Sequence, residues 1–224
     1  MHIDRRLETI ANLVPQGCVL ADIGTDHAYL PVWLLDKQRI ARAIAGDIAA
    51  GPCQAARTTV AQFGQHEHVE VRQGSGLKVL SPGEADCIAI AGMGASTIIS
   101  ILEDDTEVAQ SAELLVLHIR GSHGWQLAAE ELVDDAPHFY EIIAAKRGLA
   151  PVYSAAECAV GPLLLAQKHP LLGKQLERQL ATCRQLLENM GRSERARASE
   201  KYKEIEALKA ELEVLQNGKR SDSK

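Results

Sequence analysis

An α/β domain followed by a smaller helical one is the fold class that three features of this 224-residue sequence predict. Five short apolar runs alternate with segments of helical spacing. Strands joined by helices form βαβ units and a mainly parallel sheet. Two further strand-like runs, near 139–145 (FYEIIAA) and 152–159 (VYSAAECA), have only KRGLAP between them. A gap that short cannot hold a crossover helix, so this pair is expected to close the sheet as an antiparallel hairpin. After Pro162 the apolar residues fall into steps of three and four, the rhythm of packed helices.

The parallel strands are expected near 18–23 (CVLADI), 43–47 (AIAGD), 69–72 (VEVR), 86–91 (DCIAIA) and 114–119 (LLVLHI). Helices are expected near 30–38, 52–63, 95–103 and 125–134, the last with Trp125 packed against the sheet. Beyond Pro162 one apolar stripe runs Leu176, Leu180, Cys183, Leu187, Met190, and a second runs Ile205, Leu208, Leu212, Leu215. The polar stretch GRSERARASEK between them predicts an antiparallel helical hairpin of coiled-coil type. The domains are therefore 1–160, α/β, and 161–224, helical, with NGKRSDSK as a frayed tail.

An apolar fraction of 46% can fill a core, and a charged fraction of 24% suits a soluble chain. The longest apolar runs are too short for a membrane span or a signal peptide. Cys18, Cys53, Cys87, Cys158 and Cys183 are scattered without metal-binding spacing, as expected of reduced cytoplasmic thiols. The net charge of −6 is uneven. Residues 1–160 carry 11 Lys+Arg against 21 Asp+Glu, and residues 161–224 carry 13 against 9. A basic segment on an acidic chain points to a polyanionic partner, with a solvated helical surface as the competing reading.

The first strand runs into Gly24-Thr25-Asp26-His27-Ala28 and then into a helix, the junction where α/β proteins hold nucleotides. A dinucleotide site needs glycines so that backbone N–H groups approach a pyrophosphate, and G-x-G-x-x-G is absent. Aspartates there would repel phosphates. S-adenosylmethionine has no phosphate but carries an ammonium and a sulfonium, which Asp22 and Asp26 suit. The competing reading for either aspartate is a helix cap or a solvated loop charge. Parallel strands with a terminal antiparallel hairpin agree with that cofactor. They form the Rossmann-like class I fold of S-adenosylmethionine-dependent methyltransferases.

Three further strand ends support the same site. Asp47 closes the second strand and is placed to accept hydrogen bonds from ribose hydroxyls. Ser75 and Gly76, after the third strand, are candidates to border the adenine. At the end of the fourth strand, Ala91-Gly92-Met93-Gly94 leaves room for cofactor and target base to approach the backbone. His66 and His68 have metal-like spacing but lie in a polar connection, so a solvated pair is expected and no metal.

The stretches LADIGTDHAYLP, AIAGD, QGSGL, GEADCIAIAGMG and WQL resemble the TrmK family of tRNA (adenine-N1)-methyltransferases over roughly residues 5–180. GPLLLAQKHPLL resembles the start of that family's C-terminal helical domain. The resemblance implies S-adenosylmethionine as cofactor, tRNA as partner, and methylation of N1 of adenine 22. Two positions depart from the pattern. Ser75 stands where the family has aspartate, and HIRGSHG (118–124) replaces Gln-Pro-Asn after the fifth strand. These departures leave open another substrate for the same fold, or an RNA-binding scaffold without activity.

Adenine N1 attacks a sulfonium methyl without first losing a proton, so such an enzyme works mainly by in-line positioning. The methylated ring is cationic and is stabilised by a nearby carboxylate. N1 lies on the pairing edge, so the base must be unpaired or flipped to be reached. Asp26, His27 and Tyr29 are the candidates to line that pocket, with Tyr29 stacking on the base. Helix capping by His27 and core packing of Tyr29 are the structural alternatives. His118, Arg120 and His123 are candidates to meet RNA phosphates, with simple loop filling as the alternative. A monomer, or a weak dimer through the helices, is expected.

Overall fold

The computed structural model describes residues 1–117, 125–149 and 151–221 and divides into two compact units, Met1–Pro151 and Val152–Lys224. The first contains α1 (Arg5–Leu13), β1 (Val19–Ile23), α2 (Tyr29–Asp36), β2 (Arg42–Asp47) and α3 (Ala50–Gln62). It continues through β3 (Val69–Gln73), a 3₁₀ turn (Gly76–Val79), β4 (Cys87–Ile90), α4 (Ala95–Asp104) and α5 (Thr106–Ser111). It ends with β5 (Leu114–Leu117), β6 (Trp125–Asp135) and β7 (His138–Arg147). One sheet has the order β3-β2-β1-β4-β5-β7-β6. Strands β1 to β5 are parallel, and β7 is antiparallel to both β5 and β6.

The closing hairpin exists with 139–145 in it as expected, inside β7, but its partner strand precedes β7 instead of following it. Residues 125–134, read as a helix, form β6 and pair with β7 from Trp125↔Arg147 to Asp135↔His138. The run Ala-Ala-Glu-Glu favours a helix locally, and pairing with β7 and packing against α1 override it. Trp125 therefore begins a strand, and its side chain lies outside the described residues. Residues 152–159, read as the second hairpin strand, contain most of α6 (Ala155–Val160). Ser154 caps that helix in a reciprocal box. Its hydroxyl accepts from the Glu157 N–H, and Glu157 accepts from the Ser154 N–H.

Both faces of the sheet are covered, because successive side chains on each parallel strand point to opposite sides. Leu20, Ala43, Ala45 and Cys87 pack with α1, α2 and α3, while Ala21, Ile44, Ile88 and Ile90 pack on the other side with Ile98 and Leu115. Each fully buried Leu or Ile contributes about 1.5–3 kcal/mol. This core fixes the strand ends that carry the site. Ile23 pairs with Gly46 and with Ile90, so β1, β2 and β4 finish at one edge.

The second unit contains α6, α7 (Pro162–Ala166), α8 (Leu172–Met190), α9 (Glu194–Arg197) and α10 (Glu200–Ser221). Helices α8 and α10 pack along each other, burying Leu176, Leu180, Cys183, Ile205 and Leu212 from the two apolar stripes. The unit starts at Val152 because α6 packs with α7, α8 and α10. No helix among the described residues is long and apolar enough to cross a membrane.

Candidate functional site

Order reverses at β1, which has β2 on one side and β4 on the other. A crevice opens at such a switch point, outside the carboxyl ends of the strands. Two adjoining cavities occupy it, of about 460 Å³ and about 350 Å³. Gly24, Asp47 and Met93 line both.

The turn after β1 is wound tightly. The N–H groups of Gly24 and Thr25 both donate to the Gly46 carbonyl, at 2.8 and 3.1 Å. Gly24, Asp26 and Ala28 have φ of +76°, 51° and 55°. For the two non-glycines that left-handed conformation costs about 1–2 kcal/mol each, and strain of this kind concentrates at functional sites. A Cβ on Gly24 would also crowd Met93 Cε, but that methyl ends a flexible side chain that can swing aside, so the positive φ is what calls for glycine here.

Asp22 is buried at 6% exposure and accepts a hydrogen bond from the Thr25 hydroxyl at 2.6 Å. Burial pushes its carboxyl up to about 6, against the pull of the Thr25 hydroxyl and the Arg6 charge. A buried carboxylate bordering the cleft is poised for a cation. Asp47 accepts from the Ala49 N–H at 2.8 Å, which fixes the turn after β2. His27 and Tyr29 stack with ring centroids 5.0 Å apart and planes 9° apart, and Asp26 Oδ2 lies 3.6 Å from His27 Nε2. Tyr29 is 43% exposed, so it is not core.

All ten residues expected at the site fall on these linings. Gly24, Asp47, Ser75, Gly76 and Met93 border the larger cavity. Asp22, Gly24, Asp26, His27, Tyr29, Asp47, Gly92 and Met93 border the smaller. The stretch 118–124, with His118, Arg120 and His123, lies outside the described residues. His66 and His68 are exposed before β3, and no group of three or more His, Cys, Asp or Glu able to hold a metal occurs among the described residues. Four of the cysteines are buried and Cys158 is exposed.

Several lining residues escaped the sequence reading. Thr97, Ser100, Ile101 and Asp104 border the larger cavity from α4. Their helical spacing was a signal for one face. Ile48, directly after Asp47, is 69% exposed and borders the same cavity. Arg6 and Tyr140 come from α1 and β7, and nothing near them in sequence points to the site. Arg6 Cζ lies 5.5 Å from the centroid of the Tyr140 ring.

The larger cavity fits S-adenosylmethionine. Among the described residues its lining has two carboxylates, Asp47 and Asp104, and no Lys or Arg. A pyrophosphate would meet uncompensated negative charge there, whereas a ribose and a cationic sulfur would not.

Comparison with known proteins agrees with this fold and with this cofactor. The profile of the family described as "TrmK: tRNA (adenine(22)-N(1))-methyltransferase" matches residues 20–217. The tRNA (adenine(22)-N(1))-methyltransferase of Bacillus subtilis (strain 168) is 33% identical over 230 residues, covering 96% of this chain and 96% of that one. The crystal structure of the B. subtilis m1A22 tRNA methyltransferase TrmK has a TM-score of 0.85 at 31% identity, covering 96% of this chain and 99% of that chain. A Streptococcus pneumoniae protein in complex with S-adenosyl-L-methionine has a TM-score of 0.82 at 29% identity, covering 96% of this chain and 100% of that chain. The chain belongs to the TrmK family of tRNA (adenine(22)-N(1))-methyltransferases.

Proposed function

We infer that the two adjoining cavities are the two halves of one methyl-transfer site. The chain is an S-adenosylmethionine-dependent methyltransferase of N1 of adenine 22 in tRNA. The larger cavity receives the cofactor and the smaller one leads the target nucleotide to it. The observation that carries this reading is the sharing of Gly24, Asp47 and Met93 by both linings.

When bound, S-adenosylmethionine supplies a methyl group on a cationic sulfur, and the N1 lone pair of adenine takes it without losing a proton. The residues hold and orient. Asp22, ionised above about pH 6, attracts the ammonium. Asp47 accepts from the ribose hydroxyls. Ile48 offers an apolar face to the cofactor's adenine, and Ser75 and Gly76 border its edge. The stacked His27–Tyr29 pair receives the extruded nucleotide at the mouth. Asp26 beside it sets a negative charge at the mouth, which the cationic methylated base passes as it leaves.

The helical unit is read as a second tRNA-binding element, through Arg178, Arg184, Arg192, Arg195 and Arg197. The family match over 20–217 includes both departures from the expected pattern, which favours the tRNA activity over another substrate or a silent scaffold. The enzyme is read as cytoplasmic, where tRNA is modified, and as a monomer or weak dimer through the helices. Mass-spectrometric mapping of methylated nucleosides in tRNA, with and without the protein, tests the reading. It should show 1-methyladenosine at position 22, and a methyl group at another nucleotide would overturn it.

A further inference from the structure

Beside the smaller cavity lies a third hollow of about 190 Å³, walled by Ile10 of α1 and by Tyr140 and Ile142 of β7. It shares Arg6, Ala91, Gly92 and Met93 with the cleft. The geometry points to this hollow as the seat of the acceptor adenine ring, with Arg6, stacked on Tyr140, as the residue that positions it. The proposal rests on reading the neighbouring cleft as the methyl-transfer site.

Size, polarity and access support it. A dry engineered cavity of about 150 Å³ takes up benzene, so this one suits a planar ring without its sugar. Its walls are apolar apart from the Arg6 guanidinium and the Tyr140 hydroxyl, whereas the adjoining cleft carries Asp22, Asp26 and Asp47. The ring would therefore lie in the hollow while its ribose stays in the polar cleft and its phosphates remain outside the carboxylate-lined part. Gly92, at φ +80°, opens the way: apart from Arg6 Nη1 at 3.7 Å, nothing lies within 4 Å of where a Cβ would stand.

Arg6 is suited to meet a base. Asp4, the N-cap of α1, lies 3.9 Å from its guanidinium, and the Tyr140 ring lies beneath it. Unpaired bases stack on guanidinium planes and on aromatic rings alike. A ring stacked on the guanidinium face keeps its N1 lone pair in the ring plane, free to react, and the guanidinium has no lone pair of its own to compete for the methyl. Once N1 is methylated, the ring and the guanidinium are like charges side by side, which favours release of the product.

The test uses the full-length enzyme, S-adenosylmethionine and a tRNA transcript, at pH 8 so that Asp22 stays ionised. Arg6→Met and Tyr140→Leu should each slow single-turnover methylation about ten- to a hundredfold, the size of a missing base stack. Affinity for S-adenosylmethionine and the salt slope of tRNA binding should not change. Tyr140→Phe, which keeps the ring, should stay near the parent rate, and Arg6→Lys should not restore it. Full activity in Arg6→Lys, with a salt slope about one unit lower in Arg6→Met, would make Arg6 a phosphate ligand and overturn the proposal. A loss of cofactor affinity in both variants would assign the hollow to the cofactor instead. Unchanged rates in both would remove the ring from the hollow. Melting curves report folding, and if Arg6→Met is unfolded the Tyr140 pair carries the test. Asp47→Ala probes the cofactor site separately, so a failure of the wider reading is distinguishable from a failure of this one.

Discussion

In the proposed site one buried carboxyl, that of Asp22, would link stability to binding. Its folded value of about 6 lies above the ordinary 3.8, so the folded protein holds more protons between about pH 4 and 6. Stability contributed by this group therefore falls as pH rises through that window. At 1.36 kcal/mol per unit the penalty reaches about 3 kcal/mol above pH 6. Asp22→Asn should accordingly gain melting temperature relative to the parent as pH is raised from 4 to 7. In the parent, affinity for S-adenosylmethionine should weaken below about pH 6, where Asp22 must lose a proton to meet the ammonium. The variant should bind weakly at every pH. Parallel affinity profiles for the two proteins would show that Asp22 does not face the cofactor. For Asp47→Ala, removal of a charged hydrogen bond of about 1.5–3 kcal/mol implies a ten- to hundredfold weaker cofactor by calorimetry.

At the scale of elements, one wall of the larger cavity depends on one ion-paired arginine. Arg72 of β3 meets Glu84 through two hydrogen bonds of 2.8 and 2.6 Å and Glu70 through two of 2.9 and 2.7 Å. It also donates to the Val79 carbonyl at 2.8 Å. Val79 methyl carbons lie 2.8 and 2.7 Å from where Cβ atoms on Gly46 and Gly74 would stand. The arginine thus holds the residue that wedges against two glycines of the cavity wall. Arg72→Met should raise the KM for S-adenosylmethionine severalfold while leaving the KM for tRNA unchanged, and equal changes in both would refute this route. Arg72 hydrogen bonding, with help from the Ser81 N–H, holds Glu84 down at about 2, below its ordinary 4.5. Its stabilising contribution is present above pH 4.5 and is lost as pH falls toward 2.

The whole molecule must bind a polyanion although its residues 1–160 carry a surplus of acid. The positive surplus of residues 161–224 is the available compensation. Arg184 and Arg192 make only loose surface pairs, with Glu213 at 3.8 Å and Glu188 at 3.5 Å, which phosphates can replace at little cost. Replacing Arg178, Arg184, Arg192, Arg195 and Arg197 by Gln in the full chain should leave cofactor affinity intact. The slope of log tRNA affinity against log salt should fall by roughly one unit or less for each phosphate that no longer meets an arginine. An unchanged slope in filter binding would mean that the arginines serve only as a solvated surface.

The sequence by itself determined the five parallel strands, the turn after β1 and the acids at the strand ends. Short continuous apolar runs and glycine turns act locally, and local rules recovered them. SAAE at 154–157 also announced a capped helix, which the β-favouring Val152 and Tyr153 obscured. Only the tertiary structure decided that WQLAAEELVDD is a strand, because its partner β7 and its cover α1 lie elsewhere in the chain. The tertiary structure likewise brought Arg6, from residues before the first strand, onto Tyr140 of the last one. Such a meeting has no period and no spacing. It is created by packing, when the core sets which strand ends and helix faces share one edge of the sheet.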